Sequence, residues 1–377
     1  MTDRTVVVGR LVLADGMAHG RISVEDGVIV DVETGGVARE CDGATPIIAP
    51  GFVDLHVHGF GGNDAMGGRS ALDGMARALL RRGVTSFLPT AVTAPLDAVA
   101  RFAETVRAWR GSEPADGAQP LGFNLEGPFL AEARKGAHDA AHLLTPADVD
   151  DDALAPLLDG LSVITIAAEL PGALGLIERL SGRGVVVSLG HSAATVDEAR
   201  RGYAAGARST THLFNAMSGL DHRSPGLALA ALLDDDVAVE LIVDRHHASP
   251  DLWPLVTRMK PSSKLLLVSD ALAIAGTRDR TGRIGGLAIQ VVGGRAVLAG
   301  TDTLAGSVIG LDEAVRCLVA AGIPLHDAVA AAATNPCDLI GATDRGRIAL
   351  GQRADLVELD GSLAVRRVMR GGAWLDA

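Results

Sequence analysis

The chain has 377 residues, of which 48% are hydrophobic but only 3% aromatic, and a formal charge of −12. That length suits one large α/β unit with a smaller accessory one, its core built from Ala, Val, Leu and Ile rather than from rings. The negative charge argues against a polyanion-binding surface, so no nucleic-acid partner is expected, and an anionic small molecule must be captured by a few local cationic groups.

Cys41, Cys317 and Cys337 are far apart, odd in number and form no CxxC, against both a disulfide framework and a thiolate zinc site. The first residues, MTDRTVVVGRLVLADG, begin polar and lack the apolar core of a signal peptide. No apolar run is long enough to span a bilayer. A soluble, cytoplasmic protein with no membrane partner is expected.

In chain order, residues 4–48 read as short strands separated by Asp-Gly turns, and the last residues, GRIALGQRADLVELDGSLAVRRVMRGGAWLD, repeat that pattern. Segments 1–49 and 350–377 are therefore expected to share one small β-sandwich-like domain. The inserted segment, 50–349, alternates β-type runs with Ala-rich helical stretches such as DGMARALLRRG and TVDEARRGYAAG. Its strand candidates are GFVDLHVH, TSFLPT, LGFNLEG, VITIAAE, VVVSLGH, STTHLF, VELIVD and KLLLVSD. Eight parallel strands close a barrel, so the fold class expected is α/β, a (β/α)8 TIM-type barrel. The segment GRIGGLAIQVVGGRAVLAG reads as a hairpin inserted before the last helix.

Barrel chemistry sits at the C-terminal ends of strands. The first run ends in His56 and His58, which share a face at i and i+2. The third ends in Glu126, the fifth in His191, the sixth in His212 and the eighth in Asp270; His246 and His247 follow the seventh. Each has a plainer reading. Asp270 could be a helix N-cap, Glu126 could pair with Arg134 or Lys135, and a strand-end histidine is commonly a structural hydrogen-bonding residue. As a set on one face, these imidazoles and carboxylates suit Zn²⁺, Fe²⁺, Mn²⁺ or Co²⁺. No GxSxG elbow occurs, and Ser192 beside His191 would point the opposite way on a strand. No Walker loop is present; GFGGND and GRIGG are too loose to count.

Taken together, HVHG, LEGPF, GHSAAT, THLFNAM and VSDALA resemble the N-acetylglucosamine-6-phosphate deacetylases, metal hydrolases of the amidohydrolase superfamily built on (β/α)8 barrels. LEGPF followed by KGAH, and THLFNAM followed by RSPG, are specific to that resemblance, whereas HxH is shared across the superfamily. The resemblance implies that Glu126, His191 and His212 bind the principal metal and that Asp270 is the general base. It puts His138 near the acetyl group, Asn215 and Ala216 on the sugar phosphate, and Arg223 on the phosphate from the neighbouring subunit. It implies substrate contacts for His247, chosen over His246 by spacing, and for Ala305, Gly306 and Ser307. His56 and His58, with Asp270 near and Glu126 bridging, would hold a second, weaker ion. One or two divalent ions per subunit are thus expected, zinc first, with Fe, Mn or Co as alternatives.

The expected reaction is hydrolysis of N-acetyl-D-glucosamine 6-phosphate to D-glucosamine 6-phosphate and acetate, in amino-sugar catabolism or cell-wall recycling. A homodimer with the phosphate site completed across the interface is expected. Two other readings stand beside it: the same reaction on N-acetylgalactosamine 6-phosphate, and a barrel that binds but no longer catalyses.

Overall fold

The computed structural model describes residues 4–35 and 45–376. Cys41 lies outside them; Cys317 and Cys337 are buried free thiols. The apolar runs of the middle segment become eight parallel strands: Phe52–Val57, Val84–Val92, Phe123–Glu126, Leu161–Ile166, Val186–Leu189, Ser209–Thr210, Ala238–Leu241 and Leu265–Leu267. They hydrogen-bond in chain order. The first and last meet through a parallel bridge from Val57 to Ala271, where the N–H of Asp270 donates to the carbonyl of His56 at 2.9 Å. The result is the (β/α)8 barrel that the alternation predicts.

Helices cover its outer face through apolar stripes. The helix Arg69–Leu80 buries Leu72, Met75, Ala76 and Leu79, the i, i+3, i+4, i+7 spacing of one helical face. It starts four residues before the Asp73 expected from sequence. The helix Val196–Ala204 is entered through a capping box, in which Thr195 and Glu198 each satisfy the other's main-chain N–H.

The barrel interior is layered. Val53, Leu55, Leu88, Val163, Val186, Ala238 and Leu266 pack into one apolar cluster. Two residues further along their strands, on the same face, stand Thr90, Thr165, Ser188 and Glu240. The apolar layer anchors the strands, and polarity begins where the strands approach their C-terminal ends.

Strands from both chain ends form one seven-stranded sheet in the order 373–376, 365–370, 356–359, 47–50, 4–13, 16–25, 28–34. Asp26-Gly27 is a two-residue turn with φ of 49° and 80°, the conformation that Asp-Gly hairpins require. The insertion after the eighth barrel strand is larger than a hairpin. Thr281–Ile284, Leu287–Val292, Arg295–Leu298 and Leu304–Gly306 form a four-stranded antiparallel sheet. Ile284, Ile289, Ala296 and Ala305 pack against Val92, Leu272 and Ile274, which seats this sheet over the C-terminal end of the barrel. Among the described residues, no helix is long and apolar enough to cross a membrane.

Candidate active site

His191, His212 and Asp270 all sit just past the end of a strand with left-handed backbones, φ of 46°, 28° and 49°. Phe214, Ala216 and Arg245 share that conformation. It is unfavourable for residues with a Cβ and is held only where the surroundings over-determine it. This turn explains why the sixth run, expected as STTHLF, is a strand only over Ser209–Thr210. The backbone leaves the sheet so that the His212 ring can face inward.

The ends converge. Glu126 Oε1 lies 2.9 Å from His191 Nε2 and 2.8 Å from His212 Nε2, and these two nitrogens are 3.1 Å apart. Glu126 Oε2 lies 3.2 Å from His58 Nε2, and Oε1 is 3.6 Å from His56 Nε2. Asp270 Oδ1 lies 3.2 Å from His58 Nε2 and 3.7 Å from His56 Nε2. Two sets of ligand atoms, His56/His58/Glu126 and Glu126/His191/His212, each fall within 4.8 Å of one another and share Glu126.

The chemistry of this donor set fits a divalent cation. Asp54, Glu126, Glu240 and Asp270 are all buried, and among the described residues none has a lysine or arginine as salt-bridge partner. Buried carboxylates are paired or coordinate metals, because isolated ones are too costly. Nδ1 of His58 faces the carbonyl of Thr90 at 3.2 Å, and Nδ1 of His191 faces that of Arg134 at 2.8 Å. A carbonyl only accepts, so both rings carry a proton on Nδ1 and direct Nε2 inward. This is the arrangement of metal-ligating histidines. His56 Nε2 is a buried atom without a hydrogen-bond partner.

The field matches. Burial opposes protonation of His58, but hydrogen bonds to Asp270 and Glu126 outweigh it and lift the ring to about 9, so a cation would have to displace the Nε2 proton to be bound there. Burial pushes Glu126 up, but the imidazoles of His138, His56 and His191 around it outweigh that and hold the carboxyl well below the usual range. Burial, only partly offset by Glu126, pushes His191 down to about 4, the neutral state a ligand needs.

His138 differs from the ligands. The main-chain N–H of Thr93 points at its Nδ1 at 3.3 Å, and the Thr93 hydroxyl lies 2.9 Å away. A main-chain N–H cannot turn its proton aside, so Nδ1 of the neutral ring accepts. Nε2 then carries the proton, 3.1 Å from Glu126 Oε2. His138 is a donor toward the centre rather than a lone pair. Gly136, at φ 57°, lets this loop pass over His191, where a Cβ would stand 3.3 Å from the ring.

His58, Glu126, His138, His191, His212, Asn215, Ala216, His247, Asp270, Ala305 and Gly306 line one cavity of about 380 Å³. His56 lies beneath it, fully buried. His247 reaches the cavity with Nδ1 held by Asp244 Oδ2 at 2.7 Å, whereas His246 is exposed. Two further expected residues do not line it. Ser307 is buried with its hydroxyl donating to the carbonyl of Ser269 at 2.5 Å. Arg223 is exposed in a loop capped by Asp221 Oδ1. Asp54, Thr93, Glu240 and Asp244 escaped the sequence reading. The available signals were a lone glutamate inside the apolar run VAVELIV and a lone aspartate inside FVDLHV.

Comparison with known proteins agrees with this geometry. The amidohydrolase family pattern matches residues 47–375. The N-acetylglucosamine-6-phosphate deacetylase of Bos taurus is 37% identical over 350 residues, 89% of this chain and 84% of that protein. The N-acetylgalactosamine-6-phosphate deacetylase of Escherichia coli O157:H7 is 36% identical, covering 95% of this chain and 96% of its own. An aspartate-to-alanine mutant of N-acetyl-D-glucosamine-6-phosphate deacetylase from Mycobacterium smegmatis, solved with N-acetyl-D-glucosamine-6-phosphate, superposes with a TM-score of 0.90 at 35% identity, covering all of both chains. The chain belongs to the amidohydrolase family and, within it, to the group of N-acetylglucosamine-6-phosphate deacetylases.

Proposed function

We propose that this chain hydrolyses N-acetyl-D-glucosamine 6-phosphate to D-glucosamine 6-phosphate and acetate. The observation that carries the reading is one cavity containing a Glu–His–His donor set, a proton-donating histidine and a carboxylate at the end of the eighth strand. In this reading Glu126, His191 and His212 hold the principal divalent ion, zinc by the nature of the donors, and His56 and His58 with Glu126 hold a second. When bound, the ion supplies Lewis acidity, lowering the pKa of a water it holds to about 7 and polarising a carbonyl.

The residues do the rest. Asp270 takes a proton from the attacking water as its oxygen bonds to the acetyl carbon. His138 donates its Nε2 proton as a hydrogen bond to the oxygen on which charge develops. The C–N bond breaks, the nitrogen keeps the electron pair, and Asp270 returns the proton to it, releasing acetate and the free amine. Asn215, Ala216 and His247 face the phosphate, Ala305 and Gly306 the sugar, and Arg223 of a second copy of the chain completes the phosphate site in a homodimer. A guanidinium fork suits phosphate. In this reading the reaction is cytoplasmic, since a phosphorylated sugar is retained inside the cell.

The galacto epimer is a second reading, favoured by the 36% identity to the Escherichia coli relative over 95% of this chain. Acetate release from zinc-loaded enzyme is measured on both 6-phosphorylated sugars and on unphosphorylated N-acetylglucosamine. The gluco 6-phosphate is expected to be turned over fastest. A faster galacto rate selects the second reading, and no acetate from either overturns both.

A further inference from the structure

Glu240 is a buried carboxylate that the proposed reaction leaves unused. It stands within the seventh strand, Ala238–Leu241, and is 2% exposed. Barrel interiors are normally filled at such positions by branched apolar side chains. One of its oxygens, Oε2, lies 3.1 Å from Nδ1 of His56 and 3.2 Å from the main-chain nitrogen of His212. The His212 N–H can only donate, so Oε2 is already an acceptor. His56 therefore presents a proton on Nδ1 and keeps its lone pair on Nε2. That Nε2 is the buried nitrogen without a hydrogen-bond partner, facing Glu126 and Asp270. The main chain of His56 is held as well, its N–H donating to Asp54 Oδ1 at 3.3 Å.

His58 and His191 rest their Nδ1 protons on neutral carbonyls. Among the described residues, His56 is the one of the four ligand-type histidines whose Nδ1 meets a carboxylate; Nδ1 of His212 is buried without a hydrogen-bond partner. A carboxylate behind an imidazole raises its basicity as a ligand and locks its orientation.

We propose that Glu240 is a positioning residue for the cation site of His56, His58 and Glu126. It fixes the His56 ring with Nε2 inward, and through the His212 N–H it ties that ring to the strand end that carries the other cation site. The proposal rests on the reading of those two residue sets as cation sites.

The test is zinc binding to the full chain, by chelator competition, in wild type, Glu240→Gln, His56→Gln and the double variant, each checked by circular dichroism. Wild type is expected to take two zinc ions. Glu240→Gln should weaken the second about 10–100-fold, the usual size of an outer-shell effect, and the first far less. In the His56→Gln background, Glu240→Gln should change zinc binding no further, whereas a merely structural role lowers it in both backgrounds. An unchanged second affinity in Glu240→Gln overturns the proposal. A single zinc in wild type overturns the cation-site reading and the proposal with it. Should Glu240→Gln not fold, ¹⁵N-histidine spectra of zinc-loaded wild type decide. The His56 signal, identified by its loss in His56→Gln, should show the proton on Nδ1, and a proton on Nε2 overturns the proposal.

Discussion

Asp270 is held in place more firmly than a helix cap would need to be. Its backbone is left-handed at φ 49°, its N–H donates to the His56 carbonyl, and its carboxylate faces two imidazoles. Asp270→Asn keeps the shape but cannot take a proton, so kcat should fall about 10²–10⁴-fold with KM little changed. Steady-state kinetics on the 6-phosphorylated sugar check this; an intact kcat with a raised KM makes Asp270 a binding residue instead. His191 is tied at both ends, Nδ1 to Arg134 and Nε2 to Glu126 and His212. His191→Ala should lose principal-site metal by elemental analysis together with turnover. Full metal and a normal rate in that variant contradict the ligand assignment.

At the scale of elements, short strands and bent exits build the centre. Strands supply the register, and left-handed residues just beyond them turn the side chains inward at a local cost of about 1–3 kcal/mol each. The apolar layer beneath, with Val163, Val186 and Leu266, keeps those exits in place. The helix after the His191 loop depends on its cap: Glu198 Oε2 accepts from the N–H and the hydroxyl of Thr195 at 2.8 Å each. Thr195→Ala should lower stability by about 1 kcal/mol, read from denaturant midpoints, with the rate per folded enzyme unchanged. A lost rate in a stable Thr195→Ala protein means the cap also positions His191.

For the molecule as a whole, buried negative charge links metal to stability. Stripping zinc with a chelator should lower the thermal midpoint, since an ion held at a thousand times its Kd contributes about 4 kcal/mol. An unmoved midpoint argues against a cation bound to the folded state at this centre. Arg223 is exposed on its own chain, so its proposed phosphate role needs a second copy. Arg223→Ala should raise KM for the phosphorylated sugar about 10–100-fold over its effect on the unphosphorylated one, the equivalent of a charge-assisted bond. Mixing Arg223→Ala with Asp270→Asn should restore activity at one of the two sites, because the site of the Arg223→Ala chain keeps Asp270 and receives Arg223 from its neighbour. No recovery in a verified mixed dimer places the phosphate site within one chain.

The barrel and its ligand-type residues were legible in the one-dimensional pattern because both are periodic. Strand runs alternate with helical stripes, and a barrel puts every strand end on one face, so His56, His58, Glu126, His191, His212 and Asp270 could be picked out by position alone. The pattern also marked the inserted β segment but undercounted it, since the strand Leu304–Gly306 is too short to show a period. What only the tertiary structure decided is contact between residues far apart in sequence. The pairing of Glu240 with His56 spans 184 residues and that of Thr93 with His138 spans 45, and no local periodicity records either. The same holds for the outward place of Arg223, whereas the choice of His247 over His246 was made by motif spacing and agrees with the turn around Asp244. Spacing names the residues a strand end can offer, but which proton each imidazole carries is set by the partner that packing brings to its other nitrogen.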